Sequence, residues 1–290
     1  MNRCDFIKIS IALFLGVIVA LSGNASDYAP GLATLIAHRG ESYDAPENTL
    51  PAYKTAVDRG FGFECDIYLS KDKRLFTFHD GNLTRTTAGA NTNRCADVDW
   101  ETTVSKLNVG GWGKWKGSRF DPTPPALLSE VLDLARNGRW IYIEVKGGYP
   151  SWVPYIKAEL TRSKKANSGN VLFISFSDKV CAELKRQMPA YRVYWLTGCT
   201  KKTADGGSVV LEPSEIIAKL RQIGADGVDI RFDPKIIDAA YVKAVRDAGY
   251  SFHVWTVNDP KLARRAFAVG AETLTTNCAK FILEKCGDAE

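Results

Sequence analysis

Residues 62–70 read GFECDIYLS. With a period of two, starting from Phe61, Phe63, Cys65, Ile67 and Leu69 share one face of a strand with it; Glu64, Asp66 and Tyr68 share the other. Two carboxylates on one face repel each other, and burial would drive up the pKa of both. They need either open water or a cation between them. The rest of the chain decides which.

Working outward, ATLIAH (33–38) reads as a strand and NTLPAYKTAVDRG (48–60) as a helix closed by Gly60. RLFTFHD (74–80) follows as a third strand. A helix over 127–138, a strand over 139–147, a helix over 152–163 and a strand over 170–176 come next. The alternation runs on through DKVCAELKRQM, YRVYWLT, SEIIAKLRQIG, DGVDIR, KIIDAAYVKAVRDAG, YSFHVWTVN and DPKLARRAFAVG to AETLTTN (271–277). Strand and helix in alternation imply a parallel sheet, and about eight repeats in a chain of this length predict a closed (β/α)₈ TIM barrel. No GxGxxG follows the first strand, which argues against a dinucleotide fold. The pattern has one strand-like run too many. Only SKDK (70–73) separates the second run from the third, too little for a helical crossover, so one of that pair must be irregular.

The stretch 81–125, rich in Gly, Asn and Thr, breaks the rhythm and predicts a small insertion after the third strand, over the barrel mouth, with one short helix near 99–107. Its Trp100, Trp112 and Trp115 suit packing within a thin insertion, and reception of a cationic head group is the sharper alternative. A hydrophobic content of 45% provides for a sizeable core. The net charge of +5 comes without a Lys/Arg cluster, so it gives no argument for nucleic acid, and it suits a small phosphate-bearing substrate.

Arg3 and Lys8 flank the start of an apolar run from Ile9 to Leu21, and Gly23 and Ala25 precede a cleavage point before Ser26. The run is too short to span a membrane, so residues 1–25 are expected to be a signal peptide and 26–290 the exported barrel, periplasmic or secreted. Cleavage leaves Cys65, Cys95, Cys181, Cys199, Cys278 and Cys286. An even number permits disulfides; Cys278–Cys286 and Cys181–Cys199 are conceivable pairs, and Cys65 is equally suited to be a buried thiol.

Barrel active sites gather at the C-terminal ends of the strands. LIAHRG ends in His38 and Arg39, FECDIY carries Glu64 and Asp66, FTFHD ends in His79 and Asp80, YIEVKG in Glu144 and Lys146, and HVWTVN in Trp255 and Asn258. Glu64, Asp66 and Glu144 would form an all-oxygen pocket for Mg²⁺ or Ca²⁺, which answers why the two carboxylates tolerate each other. Arg39 and Lys146 would help neutralise a phosphate. His38 and His79, two of three histidines in the chain, could act as general acid and base on a phosphodiester, in either order. The plain alternatives are satisfied structural histidines and an ordinary Glu144–Lys146 ion pair. His253 lies deeper on its strand and reads as a core residue.

In this order, HRGESYDAPENT, ECD, FHD, PALLSEVLDLA, YIEVKG and HVWTVND resemble the glycerophosphodiester phosphodiesterase family across about residues 34 to 280. The resemblance implies a TIM barrel with a divalent-metal site that hydrolyses glycerophosphodiesters to glycerol 3-phosphate and an alcohol. It implies His38 and His79 as the acid–base pair, Glu64, Asp66 and Glu144 as metal ligands, and Arg39 and Lys146 as phosphate contacts. Glu47 would orient Arg39 or the metal shell, and Trp255 would wall one side of the substrate. The family's last strand usually ends in Thr-Asp before a proline; here Asn277 stands at that place. Two other functions fit the same residues less well: an exported phospholipase-type hydrolase touching lipid through Trp112 and Trp115, and a module that binds phosphodiesters or choline without turnover. Oligomeric state is left open.

Overall fold

The structure is a computed structural model that describes residues 30–287; the segment expected to be a signal peptide lies outside them. The two faces of GFECDIYLS part as the period of two predicts. Phe63, Cys65 and Ile67 pack in the layer between strands and helices, whereas Glu64 pairs in register with Tyr142, which belongs to a separate cluster inside the ring of strands. Neighbours in register on parallel strands point the same way, so Glu64 and Asp66 face the lumen.

The chain runs β1 (Leu35–Ala37), α1 (Leu50–Asp58), β2 (Gly62–Leu69), β3 (Leu75–Thr77), α2 (Leu128–Leu132), β4 (Ile141–Val145), α3 (Val153–Arg162), β5 (Val171–Ser175), α4 (Asp178–Gln187) and β6 (Arg192–Thr197). It continues with β7 (Thr200–Lys202), β8 (Ser208–Val210), α5 (Pro213–Ile223), β9 (Gly227–Arg231), α6 (Ala239–Asp247), β10 (Ser251–Trp255), α7 (Pro260–Ala268), β11 (Thr273–Thr276) and α8 (Ala279–Gly287). The strands β1, β2, β4, β5, β6, β9, β10 and β11 are parallel neighbours in that order, and pairing of β11 with β1 closes the ring. This is a (β/α)₈ barrel.

The surplus strand is β3. It pairs antiparallel with the end of β2, Ile67 opposite Thr77 and Leu69 opposite Leu75, and lies outside the ring. After it, Phe78 N–H bonds to the Asp66 carbonyl at 3.0 Å, so the antiparallel turn delivers the next residue, His79, back toward the acidic pair.

Two expectations need correction. The helix read over 127–138 ends at Leu132, because Leu134 and Ala135 N–H groups bond three residues back, to Val131 and Leu132, and tighten the last turn. The conceivable disulfides do not form: Cys65, Cys95, Cys181, Cys199, Cys278 and Cys286 are all free thiols. Within β2, Cys65 is fully buried, where a thiol packs as a small hydrophobe. The β7–β8 hairpin had no counterpart in the sequence reading, since its strands are exposed and carry no apolar alternation. The insertion over 81–125 is mostly turns, with 3₁₀ segments at Cys95–Asp97, Val104–Lys106 and Gly113–Trp115. Among the described residues no helix is long and apolar enough to cross a membrane.

Candidate active site

β2 and β4 run in register with Asp66 opposite Glu144, which places carboxylates side by side at the C-terminal end of the barrel. One oxygen from each of Glu64, Asp66 and Glu144 lies within 4.8 Å of the others. Their remaining contacts orient them. Glu64 Oε2 accepts the Arg39 backbone N–H at 2.9 Å, and Asp66 Oδ2 accepts Asn48 Nδ2–H at 2.7 Å. Glu64 Oε1 and Asp66 Oδ1 are buried and have no hydrogen-bond partner.

Two cations sit beside them. Lys146 Nζ is 2.9 Å from Glu144 Oε1 and 3.4 Å from Asp66 Oδ1, and Arg39 Nε is 3.4 Å from Asp66 Oδ2. Burial, and then the neighbouring charges of Asp66 and Glu144, push Glu64 well above the usual carboxylate range. Burial and Asp66 likewise raise Glu144 to about 8. Burial would raise Asp66 too, but Lys146 and Arg39 outweigh it and hold its carboxyl well below its ordinary value. Three carboxylates thus crowd a dry site with too little positive charge around them. Two buried oxygens that lack a hydrogen bond and an all-oxygen donor set fit a hard divalent cation, which would relieve that crowding.

The two histidines beside this cluster have different partners. His38 follows β1, and its Nδ1 lies 2.6 Å from Asn277 Oδ1. An amide oxygen only accepts, so the ring proton sits on Nδ1 and Nε2, 3.9 Å from Glu64 Oε2, carries a lone pair. Burial, and then the charge of Arg39, lower His38 to about 4, which keeps the ring neutral. His79 instead faces a carboxylate: Asp80 Oδ1 accepts from Nδ1 at 2.8 Å.

The backbone at the first histidine is unusual. Arg39 and Asn48 adopt φ of 55°, and Gly40 has φ of 75° with no room for a side chain, since an added Cβ would lie 2.5 Å from the Ala52 carbonyl carbon. Strained residues of this kind collect where geometry serves function. Here the turn aims the Arg39 N–H at Glu64.

Glu47 accepts from Arg39 Nη1 at 2.8 Å and also from Arg85, whose guanidinium bridges Glu47 and Asp80. Asn277 is at the end of β11, against His38. Trp255 ends β10, two strands from β1 by way of β11. It packs edge-on against Phe176 at 5.6 Å and donates Nε1–H to the Asp229 carbonyl. His38, Arg39, Glu47, Glu64, Asp66, Glu144, Lys146 and Asn277 form one connected cluster with these contacts, and His79 joins it through Asp80 and Arg85; Trp255 instead contacts Phe176 and Asp229. His253 is buried, with Nδ1 2.6 Å from Tyr142 Oη.

The tryptophans of the insertion are engaged within the protein. Trp100 packs on Phe76 at 6.0 Å, while Trp112 and Trp115 already carry Arg85 and Lys114 over their rings, at 4.9 and 4.4 Å.

Sequence reasoning missed three residues. Arg85 reaches the site from the insertion. Asn48 holds Asp66 by its side chain while receiving the Asp66 N–H and the Tyr53 hydroxyl on Oδ1. Asp229 lies in the lumen, 1% exposed, with both oxygens unpartnered; burial and then Glu144 raise it to about 8. Its signal was available in DGVDIR, where Val228 and Ile230 take one face and Asp229 the other, toward the lumen.

A mouth of this kind, acidic and cation-ready at its floor, with fixed positive charge and two differently partnered imidazoles, serves enzymes that cleave phosphate esters. Comparison with known proteins narrows the class. The model of the glycerophosphoryl diester phosphodiesterase family matches residues 38–280. A glycerophosphodiester phosphodiesterase of Bacillus subtilis is 27% identical over 93% of this chain and 92% of its own length. One from Caldanaerobacter subterraneus is 27% identical over 84% and 93%. A phosphodiesterase of Oleispira antarctica, solved with the product sn-glycerol-3-phosphate, superposes with a TM-score of 0.75 at 24% identity, covering 91% of this chain and 99% of that one. The chain belongs to the glycerophosphoryl diester phosphodiesterase family and is an enzyme of that class.

Proposed function

We propose that this protein hydrolyses glycerophosphodiesters to sn-glycerol 3-phosphate and an alcohol, using Ca²⁺ or Mg²⁺ held by Glu64, Asp66 and Glu144. The observation that carries the reading is the buried Glu64, Asp66 and Glu144 cluster, with oxygens of Glu64 and Asp66 that lack a hydrogen bond, beside one histidine held by an amide and one by a carboxylate. A bound divalent ion would polarise the phosphoryl oxygens as a Lewis acid. Arg39 and Lys146 bind and neutralise the phosphate. His38 Nε2, bare because Asn277 holds the Nδ1 proton, takes the proton of the attacking water, whose oxygen bonds to phosphorus as the bond to the departing alcohol breaks. His79, oriented by Asp80, gives a proton to the departing alcohol. Trp255 and Phe176 wall the glycerol side. Glu47 fixes Arg39.

The test is release of glycerol 3-phosphate by His38→Ala and His79→Ala variants whose folding is checked by circular dichroism. Each should lose about 10²–10⁴-fold in kcat. Activity within a few fold of the parent in either would remove the acid–base assignment. We also propose export to the periplasm or medium, on the strength of the N-terminal charge and apolar pattern. The mass of the protein recovered from its native host should then match a chain beginning at Ser26, and an unprocessed mass would contradict it.

A further inference from the structure

A cavity of about 470 Å³ adjoins the reaction site and has no part in the reading so far. Its position follows from the chain. Tyr68, one of its walls, is the next inward residue of β2 after Asp66. Gly147, another, is bonded to Lys146, and Gly81 comes two residues after His79. The cavity therefore lies on the His79 and Lys146 side of the phosphate, away from Trp255. A group leaving toward His79 would enter it.

The lining has a definite chemistry. Tyr68, Tyr149 and Trp152 supply aromatic surface, with Trp152 at 5.1 Å from Tyr149 and 5.9 Å from Tyr68 between ring centres. Gly147 is required for that arrangement: at φ of 75°, an added Cβ would lie 3.0 Å from both the Trp152 and Tyr149 rings. Asn82 and Arg94 contribute polar donors, and Arg94 is the one charged residue in the lining. Its ion-pair partner Asp97 is exposed and 4.0 Å away, which leaves most guanidinium donors available.

Three rings alone would welcome a quaternary ammonium. Here no lining carboxylate joins them, and the one lining charge, Arg94, repels a cation. Hydroxyls suit the site better: ring faces pack on carbon skeletons while Arg94 and Asn82 donate to oxygens. Resting on the phosphodiesterase reading above, we propose that this cavity is the subsite for the leaving alcohol and that it selects a hydroxyl-rich polyol, such as glycerol or inositol, over a cationic amino alcohol.

The experiment compares kcat/KM of the full mature protein on glycerophosphoinositol, glycerophosphoglycerol and glycerophosphocholine, for the parent and for Arg94→Gln and Tyr149→Ala. Both residues are exposed, so the variants should fold. The parent should favour the polyol substrates by roughly tenfold, the scale of one charge-assisted hydrogen bond. Arg94→Gln should erase most of that preference, mainly by raising KM for the polyols, and should leave or improve glycerophosphocholine turnover. Tyr149→Ala should raise KM for all three. Equal rates in the parent, a preference for glycerophosphocholine, or a preference unmoved by Arg94→Gln would overturn the subsite. No turnover of any of the three would overturn the phosphodiesterase reading and the subsite with it.

Discussion

Asn277 sets the state of His38. It stands where a carboxylate is expected, and the change matters because an amide oxygen fixes the Nδ1 proton without adding charge. Asn277→Leu should lower kcat about 10–100-fold with little change in KM, since the ring would lose its orientation while the phosphate contacts remain. Recovery in Asn277→Asp, measured in the same assay, would separate orientation from simple packing loss. Arg85 makes the complementary case on the other imidazole. It holds Asp80 and Glu47 together, so Arg85→Gln should weaken both the His79 and Arg39 supports and lower kcat by about tenfold or more. An unchanged kcat would show the bridge to be structural only. The strand-end histidines and carboxylates were legible because they alternate with apolar neighbours inside short runs. Arg85 and Asn48 were not, because their contacts with Glu47 and Asp66 join distant parts of the chain and no local period marks a side chain that reaches the site from an insertion or a strained turn.

At the level of elements, the chain's alternation revealed the barrel, and the short SKDK link revealed one irregular strand; that β3 runs antiparallel and returns His79 to Asp66 depends on long-range pairing. The helix after the insertion was overread because its apolar residues continue past the point where hydrogen bonding tightens at Leu132. Close strand approach at Gly62 is likewise invisible in sequence. A Cβ there would sit 2.6 Å from the Trp140 carbonyl, between β2 and β4. Gly62→Ala should destabilise the protein by about 1–3 kcal/mol, the range for overpacking in a tight interior. Urea denaturation should show the midpoint falling with its slope unchanged, and an unaltered midpoint would contradict the close approach.

For the whole molecule, pH should act on stability through His253. Burial is the main cause that holds this ring below its ordinary value of 6.5, although Glu272 pulls the other way. A depressed folded value means the unfolded chain takes up the proton first. The stability contributed by the neutral ring is therefore full above about 6.5 and lost as pH falls from there through the lower folded value. The drop in Tm between about pH 7 and pH 5 should be smaller in His253→Gln than in the parent, and equal drops would exclude this group as a source.

The central claim is that the carboxylates of β2 and β4 hold a divalent cation for phosphodiester hydrolysis. The most direct measurement is glycerol 3-phosphate release from glycerophosphoglycerol by the purified protein after chelation, then with Ca²⁺ or Mg²⁺ restored, beside an Asp66→Asn variant treated the same way. Activity should vanish on chelation, return with one of the two ions in the parent, and fail to return in the variant. Activity that persists through chelation would contradict the account and leave the crowding of Glu64, Asp66 and Glu144 unexplained.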